Sequence, residues 1–403
     1  MEFSDKQARS AGNSCRSVQG PGAIVRAVPP SDCLNPARRA AAALKRSELG
    51  GKERLKLCID LIKNRVADVR LQKFSQAIQA LPIDDRHYWI GTFYTLLLPE
   101  EQRRRQSAYF TRPEIARHLI AQLESNGTDF RKARVLDPAA GGAAFLAMVA
   151  ARMKECGSTN KSIFARLRGF EIDRNLAALS RLLIADRLGV ATVPTEIIKV
   201  GDTLRMRPRE TFDVVLANPP YGRVSPDRLK SRQWSSVCHP GHINLYALFI
   251  DFCLARTKAH GLLGFVIPSS FIAGPLYCKL RSSLRERSTV KLVGLVEGRE
   301  EFFLDVMQDI SLLIVERKLD NAQTSRARQG SIAFGRIDSA GRWMPSIPFP
   351  LPPKAHEGWT LPSTHDTSRG GATLNDYGCR ASAGYFVWNR EKKRMRKTTL
   401  KRG

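Results

Sequence analysis

The stretch Phe212-Asp213-Val214-Val215-Leu216-Ala217-Asn218-Pro219-Pro220-Tyr221-Gly222 decides the reading of this chain. An apolar run broken only by Asp213 predicts a strand buried on both faces. Asn218 ends it. Pro219 and Pro220 then fix the backbone and remove two amide donors. The Pro219 carbonyl and the Asn218 amide oxygen can both point into the cleft beyond the strand. Two acceptors there suit a planar exocyclic amine, which brings two N–H groups and a delocalised lone pair. Held by both hydrogens, its nitrogen is drawn towards tetrahedral geometry, and the lone pair is exposed for in-line attack on a methyl group. Tyr221 offers a flat face for a base to stack on, and a base inside a duplex reaches such a site only when flipped out.

Working outward, strand and helix patterns alternate. Strands are predicted over 134–136, 167–172 and 196–200, with helices over 143–153 and 175–188 between them, and a further helix over 246–254. Strands at 262–267, 291–296 and 310–315 close the set. Such alternation with near-continuously apolar strands defines an α/β fold: a mostly parallel sheet covered on both faces. The last two strands have no long helix between them, which allows an antiparallel edge.

Each early strand ends in a residue that can face a ligand, since open parallel sheets bind beyond the carboxyl ends of their strands. Asp137-Pro138-Ala139-Ala140-Gly141-Gly142 links the first strand to its helix, and its small residues let backbone approach a ligand closely or simply make a tight turn. Glu171, ending the second, can accept both hydrogen bonds of a ribose diol; Asp173 just after it is the better helix cap. Asp202, after the third, can accept from an adenine amino group or serve only as a turn residue.

The flanks read differently. Residues 1–40 carry scattered Gly, Pro, Ser and Arg and predict a disordered leader. Residues 41–105 show helical spacing and then an aromatic-rich element with Tyr88, Trp89, Phe93 and Tyr94. Residues 319–370 are rich in Pro and Gly and read as a linker or loop region. Residues 371–403 end in a basic tail.

With 403 residues the chain has room for two to three domains at ~100–200 residues each. Lys and Arg number 65 against 38 Asp and Glu, a formal net charge of +27, which points to a polyanionic partner such as nucleic acid. The eight cysteines form no C-x-x-C pair, so neither a zinc site nor a disulfide framework is expected, and a reducing, cytosolic location fits. The longest uncharged stretch, 261–278, is interrupted by Pro268, Gly274 and Pro275, and reads as a strand and loop instead of a membrane span. His239 and His242 lack clustered carboxylates, so no metal is expected. Asp309, Glu316 and Lys318 lie along one predicted strand and only loosely mimic a nuclease site. Ser269 and Ser270 have no nearby His for acyl transfer.

In their order these segments resemble the gamma class of DNA adenine-N6 methyltransferases of restriction–modification systems, the N-P-P-Y type, over residues 85–317. Ser107-Ala-Tyr109-Phe-Thr111-Arg-Pro113 resembles the family's G-x-Y-x-T-P segment, and 137–146 its cofactor turn. His242-Ile-Asn244-Leu-Tyr246-Ala-Leu-Phe249 resembles the helix after the catalytic loop, Gly264–Phe271 the next strand and loop, and Glu301-Phe302-Phe303-Leu-Asp-Val306 the motif whose aromatic packs on the flipped adenine. The resemblance implies a Rossmann-like class I S-adenosylmethionine-dependent methyltransferase fold, preceded by a helical region, with the catalytic domain at 106–318 in a bacterial cytoplasm. It implies S-adenosylmethionine held by Tyr109, Thr111, Asp137, Pro138, Ala139, Gly141, Glu171 and Asp202. Asn218, Pro219, Pro220 and Tyr221 would form the catalytic motif. Tyr221 and Phe303, preferred over Phe302, would stack on the target adenine of double-stranded DNA.

Three departures accompany the match. Arg112 replaces a proline. Ala143 stands where the turn often has its second glycine, which places a methyl group near the methionine end of the cofactor. Residues 373–390 resemble the opening of a target-recognition domain, of which 371–403 would be a truncated start, so a separate recognition or endonuclease subunit is a possible partner. Two rivals stay open: the same chemistry on RNA or on a protein glutamine, and a non-catalytic DNA- or cofactor-binding remnant.

Overall fold

The computed structural model describes residues 30–44, 49–99, 102–103, 110–206, 209–229, 232–297, 309–319, 330–338 and 341–362. Nine strands make one sheet: β1 Val135–Asp137, β2 Leu167–Glu171, β3 Ile198–Val200, β4 Phe212–Ala217, β5 Thr257–Pro268, β6 Ser288–Val296, β7 Ile310–Arg317, β8 Ile332–Ile337 and β9 Trp343–Phe349. Their spatial order is β3-β2-β1-β4-β5-β7-β6-β8-β9. The first five run parallel, with Asp137 beside Gly169 and Glu171 beside Val200. This is the mostly parallel sheet of the class I S-adenosylmethionine-dependent methyltransferase fold. The antiparallel strand β7 lies inside the sheet between β5 and β6, and β9 forms a second antiparallel strand at the edge.

Both faces of the sheet are buried, as the apolar strands require. Val214 and Leu216 point into one core and Val215 and Ala217 into the other. Helices α5 (Pro113–Ser125), α6 (Ala144–Glu155) and α8 (Arg174–Leu188) contribute to the first core, with α7 (Asn160–Arg166) between the last two. Helices α9 (Leu245–Arg256) and α10 (Cys278–Arg287) contribute to the second. Asp173 caps α8, its Oδ1 accepting from Asn175 N at 2.8 Å and Leu176 N at 3.0 Å.

Helices α1 (Pro30–Ala43), α2 (Gly51–Ile62), α3 (Val69–Gln79) and α4 (Ile83–Leu96) build a third core, into which α8 sends Leu176, Leu179 and Leu183. The layer is tied to α8 by His87 Nε2 at 2.7 Å from Asp186 Oδ2 and by the Tyr94 hydroxyl donating to Asp173 at 3.2 Å.

Two sequence expectations need correction. Residues from Pro30 belong to α1, not to a leader, because Cys33, Ala37, Ala40 and Ala41 are buried against the other helices. Small side chains gave that helix little apolar signal. The region 319–370 is not merely a linker: β8 pairs with β6, and β9 closes the sheet beyond it. Pro345 and Pro348 read as loop residues, yet an edge strand tolerates missing amide donors. The expected segment 371–403 lies outside the described residues. Among the described residues, no helix is long and apolar enough to cross a membrane.

Candidate active site

A cavity of 930 Å³ opens beyond the carboxyl ends of β1 to β4, with Asp137, Gly141, Glu171, Asp202 and Asn218 on its wall. That volume is within the ~300–1,000 Å³ usual for small-molecule sites. The topology thus collects residues spread over 137–218 along one edge of the parallel sheet.

The turn after β1 is held from several sides. Asp137 is 1% exposed, and its Oδ1 accepts from Ala139 N at 3.0 Å. Ala140 N donates to Phe170 O at 2.9 Å, and Thr203 Oγ1 to Pro138 O at 2.5 Å. The Ser180 hydroxyl donates to the Gly141 carbonyl. Glu171 bridges the turn to the next helix, accepting from Gly141 N at 3.0 Å through Oε2 and from Asp173 N at 2.8 Å through Oε1. Burial pushes the Asp137 carboxyl up to about 7, against the opposing Ala139 amide. Burial also pushes Glu171 up to about 7, against the Asp173 and Gly141 amides. Asp202 accepts from Leu204 N at 3.1 Å and pairs with Arg205 at 3.2 Å.

This set fits S-adenosylmethionine. Backbone at Gly142 is approached so closely by Phe110 that no Cβ has room there, and acids at the ends of β2 and β3 line the same cavity. Each Glu171 oxygen keeps a lone pair for a ribose hydroxyl beside the amide it accepts. Ala143 behaves differently from its expectation. It caps α6 with φ +57 and is wholly buried in the first core, so its methyl group adds backbone strain without lining the cavity.

At the end of β4, Asn218 and Pro220 line the cavity and Pro219 is buried. The Asn218 carboxamide is held at both ends. Its Nδ2 donates to Thr111 Oγ1 at 3.0 Å, and its Oδ1 accepts from the Tyr221 hydroxyl at 2.7 Å. That hydroxyl also lies 3.2 Å from the Val266 carbonyl, and the Tyr221 ring is half-buried against the first core. Thr111 is 3% exposed and lines the cavity beside Phe110. Tyr109, Phe302 and Phe303 lie outside the described residues.

The wall also contains residues the motifs do not mark. Ile172, 61% exposed, follows Glu171, and Phe252 comes from α9, one turn beyond Phe249 of the segment that resembles the helix after the catalytic loop. Phe252 meets Phe170 edge-on, with ring centroids 6.4 Å apart. The sequence shows only that an isoleucine follows the strand-end acid; its exposure appears in the fold. His239 Nε2 lies 3.1 Å from Cys278 Sγ, and Glu316 joins Lys291 and His260 at the sheet surface.

The sheet order and the cavity at its carboxyl edge define the class I methyltransferase fold. A Listeria monocytogenes protein classed as a class I S-adenosylmethionine-dependent methyltransferase superposes with a TM-score of 0.52 at 16% identity, over 76% of this chain and 92% of that one. The DrdV structure in complex with DNA gives 0.50 at 14% identity, over 75% and 36%. The N-6 DNA Methylase family model matches residues 87–338, and the chain belongs to that family. It is 24% identical over 265 residues to the type II methyltransferase M.XhoI of Xanthomonas vasicola, covering 60% of this chain and 47% of that protein. To M.VspI of Vibrio sp. it is 23% identical over 207 residues, covering 51% and 47%. The chain therefore spans about half the length of these relatives.

Proposed function

We propose that this protein transfers a methyl group to the N6 amine of an adenine flipped out of double-stranded DNA, as the modification component of a bacterial restriction–modification system. The observation that carries this reading is the place of Asn218: its carboxamide closes β4 on the wall of the cavity that also holds Glu171 and Asp202.

S-adenosylmethionine, when bound, supplies the methyl group. The backbone from Asp137 to Gly141, with Pro138 and Ala139, holds one side of it. Glu171 takes the ribose hydroxyls and Asp202 the cofactor's adenine; the resemblance assigns Tyr109 and Thr111 to the cofactor as well, and Thr111 lines the cavity. Asn218 Oδ1 and the Pro219 carbonyl accept the two N–H groups of the target amine. With both hydrogens held, the nitrogen lone pair is freed from conjugation and turned towards the methyl group. Pro220 stiffens the loop, and Tyr221 and Phe303 pack on the flipped base. The net charge of +27 favours phosphate contacts that position DNA without reading its sequence. Base readout, and any endonuclease, would involve a further domain or subunit.

The test is methyl transfer from labelled S-adenosylmethionine to unmethylated genomic DNA, digested to nucleosides, with Asn218→Ala in parallel. N6-methyladenine that disappears in the variant is the expected result. Label on RNA or protein instead redirects the substrate, and cofactor binding without transfer to any acceptor supports the non-catalytic rival.

A further inference from the structure

Thr111 has the place of a cofactor-binding residue in the motif order, yet its hydroxyl oxygen lies 3.0 Å from Asn218 Nδ2 and its side chain is almost fully enclosed. We infer that Thr111, together with the Tyr221 hydroxyl, is a positioning residue for methyl transfer, aiming the Asn218 carboxamide at the target amine. The inference rests on the reading of Asn218 as the acceptor of that amine.

An asparagine amide needs such support. Its terminal torsion is broad and two-fold, so the side chain alone does not fix where its oxygen points. A catalytic acceptor must be held within roughly 0.5 Å and 10–20° of its working geometry. Here bonds at both ends restrain one planar group. Thr111 accepts from the nitrogen, and Tyr221 donates to the oxygen at 2.7 Å. A carboxamide oxygen has two lone pairs, so Oδ1 has the capacity to accept from a substrate N–H as well as from the Tyr221 hydroxyl. The second acceptor the amine requires is then the Pro219 carbonyl.

The clamp also joins two parts of the sequence that meet only in the fold. Thr111 lies two residues before α5, and its neighbour Phe110 lies over the cofactor turn at Gly142. The single Tyr221 hydroxyl proton is directed at Asn218 Oδ1 and shared with the longer contact to the Val266 carbonyl on β5, at 3.2 Å. Asn218 is therefore suspended between the segment before α5 and the strand next to its own. This gives Tyr221 a function through its hydroxyl that is separate from stacking through its ring.

The test separates positioning from cofactor binding. The full chain and its Thr111→Val, Thr111→Ser and Tyr221→Phe variants are compared in two measurements. One is single-turnover methyl transfer to unmethylated genomic DNA at saturating cofactor, and the other is calorimetric affinity for S-adenosylmethionine. Thr111→Val should slow transfer by ~10- to 100-fold, the scale of a small misplacement of a reacting group, with cofactor affinity within about twofold of wild type. Thr111→Ser keeps the oxygen and should recover most of the rate. Tyr221→Phe keeps the ring and should share the signature of Thr111→Val, which provides a second test should the valine variant not fold. Weakened cofactor binding with full transfer at saturation would make Thr111 a cofactor ligand and overturn the inference. Unchanged rates in both hydroxyl-deleting variants would overturn it too. Wild-type protein that methylates no DNA defeats the parent reading, a result distinct from either, and the inference falls with it.

Discussion

The ring of Phe110 lies so close over Gly142 that a Cβ placed there would sit 1.9 Å from the ring's Cε1. The same ring is pressed against Gly91 of α4, where a Cβ would stand 2.7 Å from that atom. The N-terminal helical layer thus reaches the cofactor turn through one aromatic side chain and two glycines. Gly142→Ala should destabilise the fold by about 1–3 kcal/mol, the usual cost of overpacking, and weaken cofactor binding at least about tenfold. Thermal unfolding and calorimetric titration check both. An unchanged affinity would mean that the turn does not depend on this contact.

Ala143 supplies a contrasting case, because its methyl group faces the core and its φ is +57. Ala143→Gly relieves left-handed strain of ~1–2 kcal/mol but gives up roughly 0.8 kcal/mol of burial and gains unfolded-chain entropy. These nearly cancel, so stability should shift by less than about 1 kcal/mol and cofactor affinity by less than about twofold. Ala143→Val, branched and in the wrong region of backbone space, should lose more than about 2 kcal/mol. Denaturant unfolding of both variants tests the pair.

Burial holds Asp137 and Glu171 up at about 7. Acids raised in the folded state bind more protons there than in the unfolded chain. Their charged forms therefore penalise folding progressively as pH climbs from the unfolded values, ~4, to about 7. The cofactor-free protein should lose thermal stability over that interval through these two groups. Cofactor affinity should move the other way, since ionised Glu171 is the stronger acceptor for a ribose diol. Affinity should rise between pH 6 and 8 in wild type and flatten in Glu171→Gln; a wild-type profile with no slope would contradict the assignment.

Arg281 is buried on α10 and donates to four backbone carbonyls: Glu357 at 2.8 Å, His356 at 2.7 Å, Phe271 at 2.9 Å and Gly274 at 2.8 Å. It straps the segment around residue 357 to the loop after β5, where Trp359 also meets Phe271 edge-on. Arg281→Ala removes the side-chain donor from all four carbonyls, of which Gly274 keeps the Tyr277 amide, and should cost about 3 kcal/mol. Lysine lacks the planar fork and should restore little. Lys354→Ala, at an exposed position, should stay within about 0.5 kcal/mol. Urea unfolding of the three variants tests this strap.

The early strands, their order of motifs and the capping role of Asp173 were legible because each rests on a local pattern: apolar runs, small residues in a turn, an acid before a helix. Helix α1 and strands β8 and β9 were not. The buried face of α1 is largely alanine and cysteine, and the glycines at 294 and 335 make room for the Trp343 ring, a relation across three strands that no local window contains. Phe252 and Ile172 were missed on the cavity wall for a related reason. Periodicity marks apolar side chains as core without saying which of them border a cavity.

By itself the sequence determined the parallel α/β architecture, the family, and the types of group at the ends of β1, β2, β3 and β4, since strand pattern and turn chemistry are written in neighbouring residues. Only the tertiary structure decided how those groups are held. The Thr111–Asn218–Tyr221 clamp spans residues 111 to 221 with a third anchor at Val266, and Glu171 grips Gly141 thirty residues away. A hydrogen bond is set by distance and direction in space, and neither is encoded in separation along the chain.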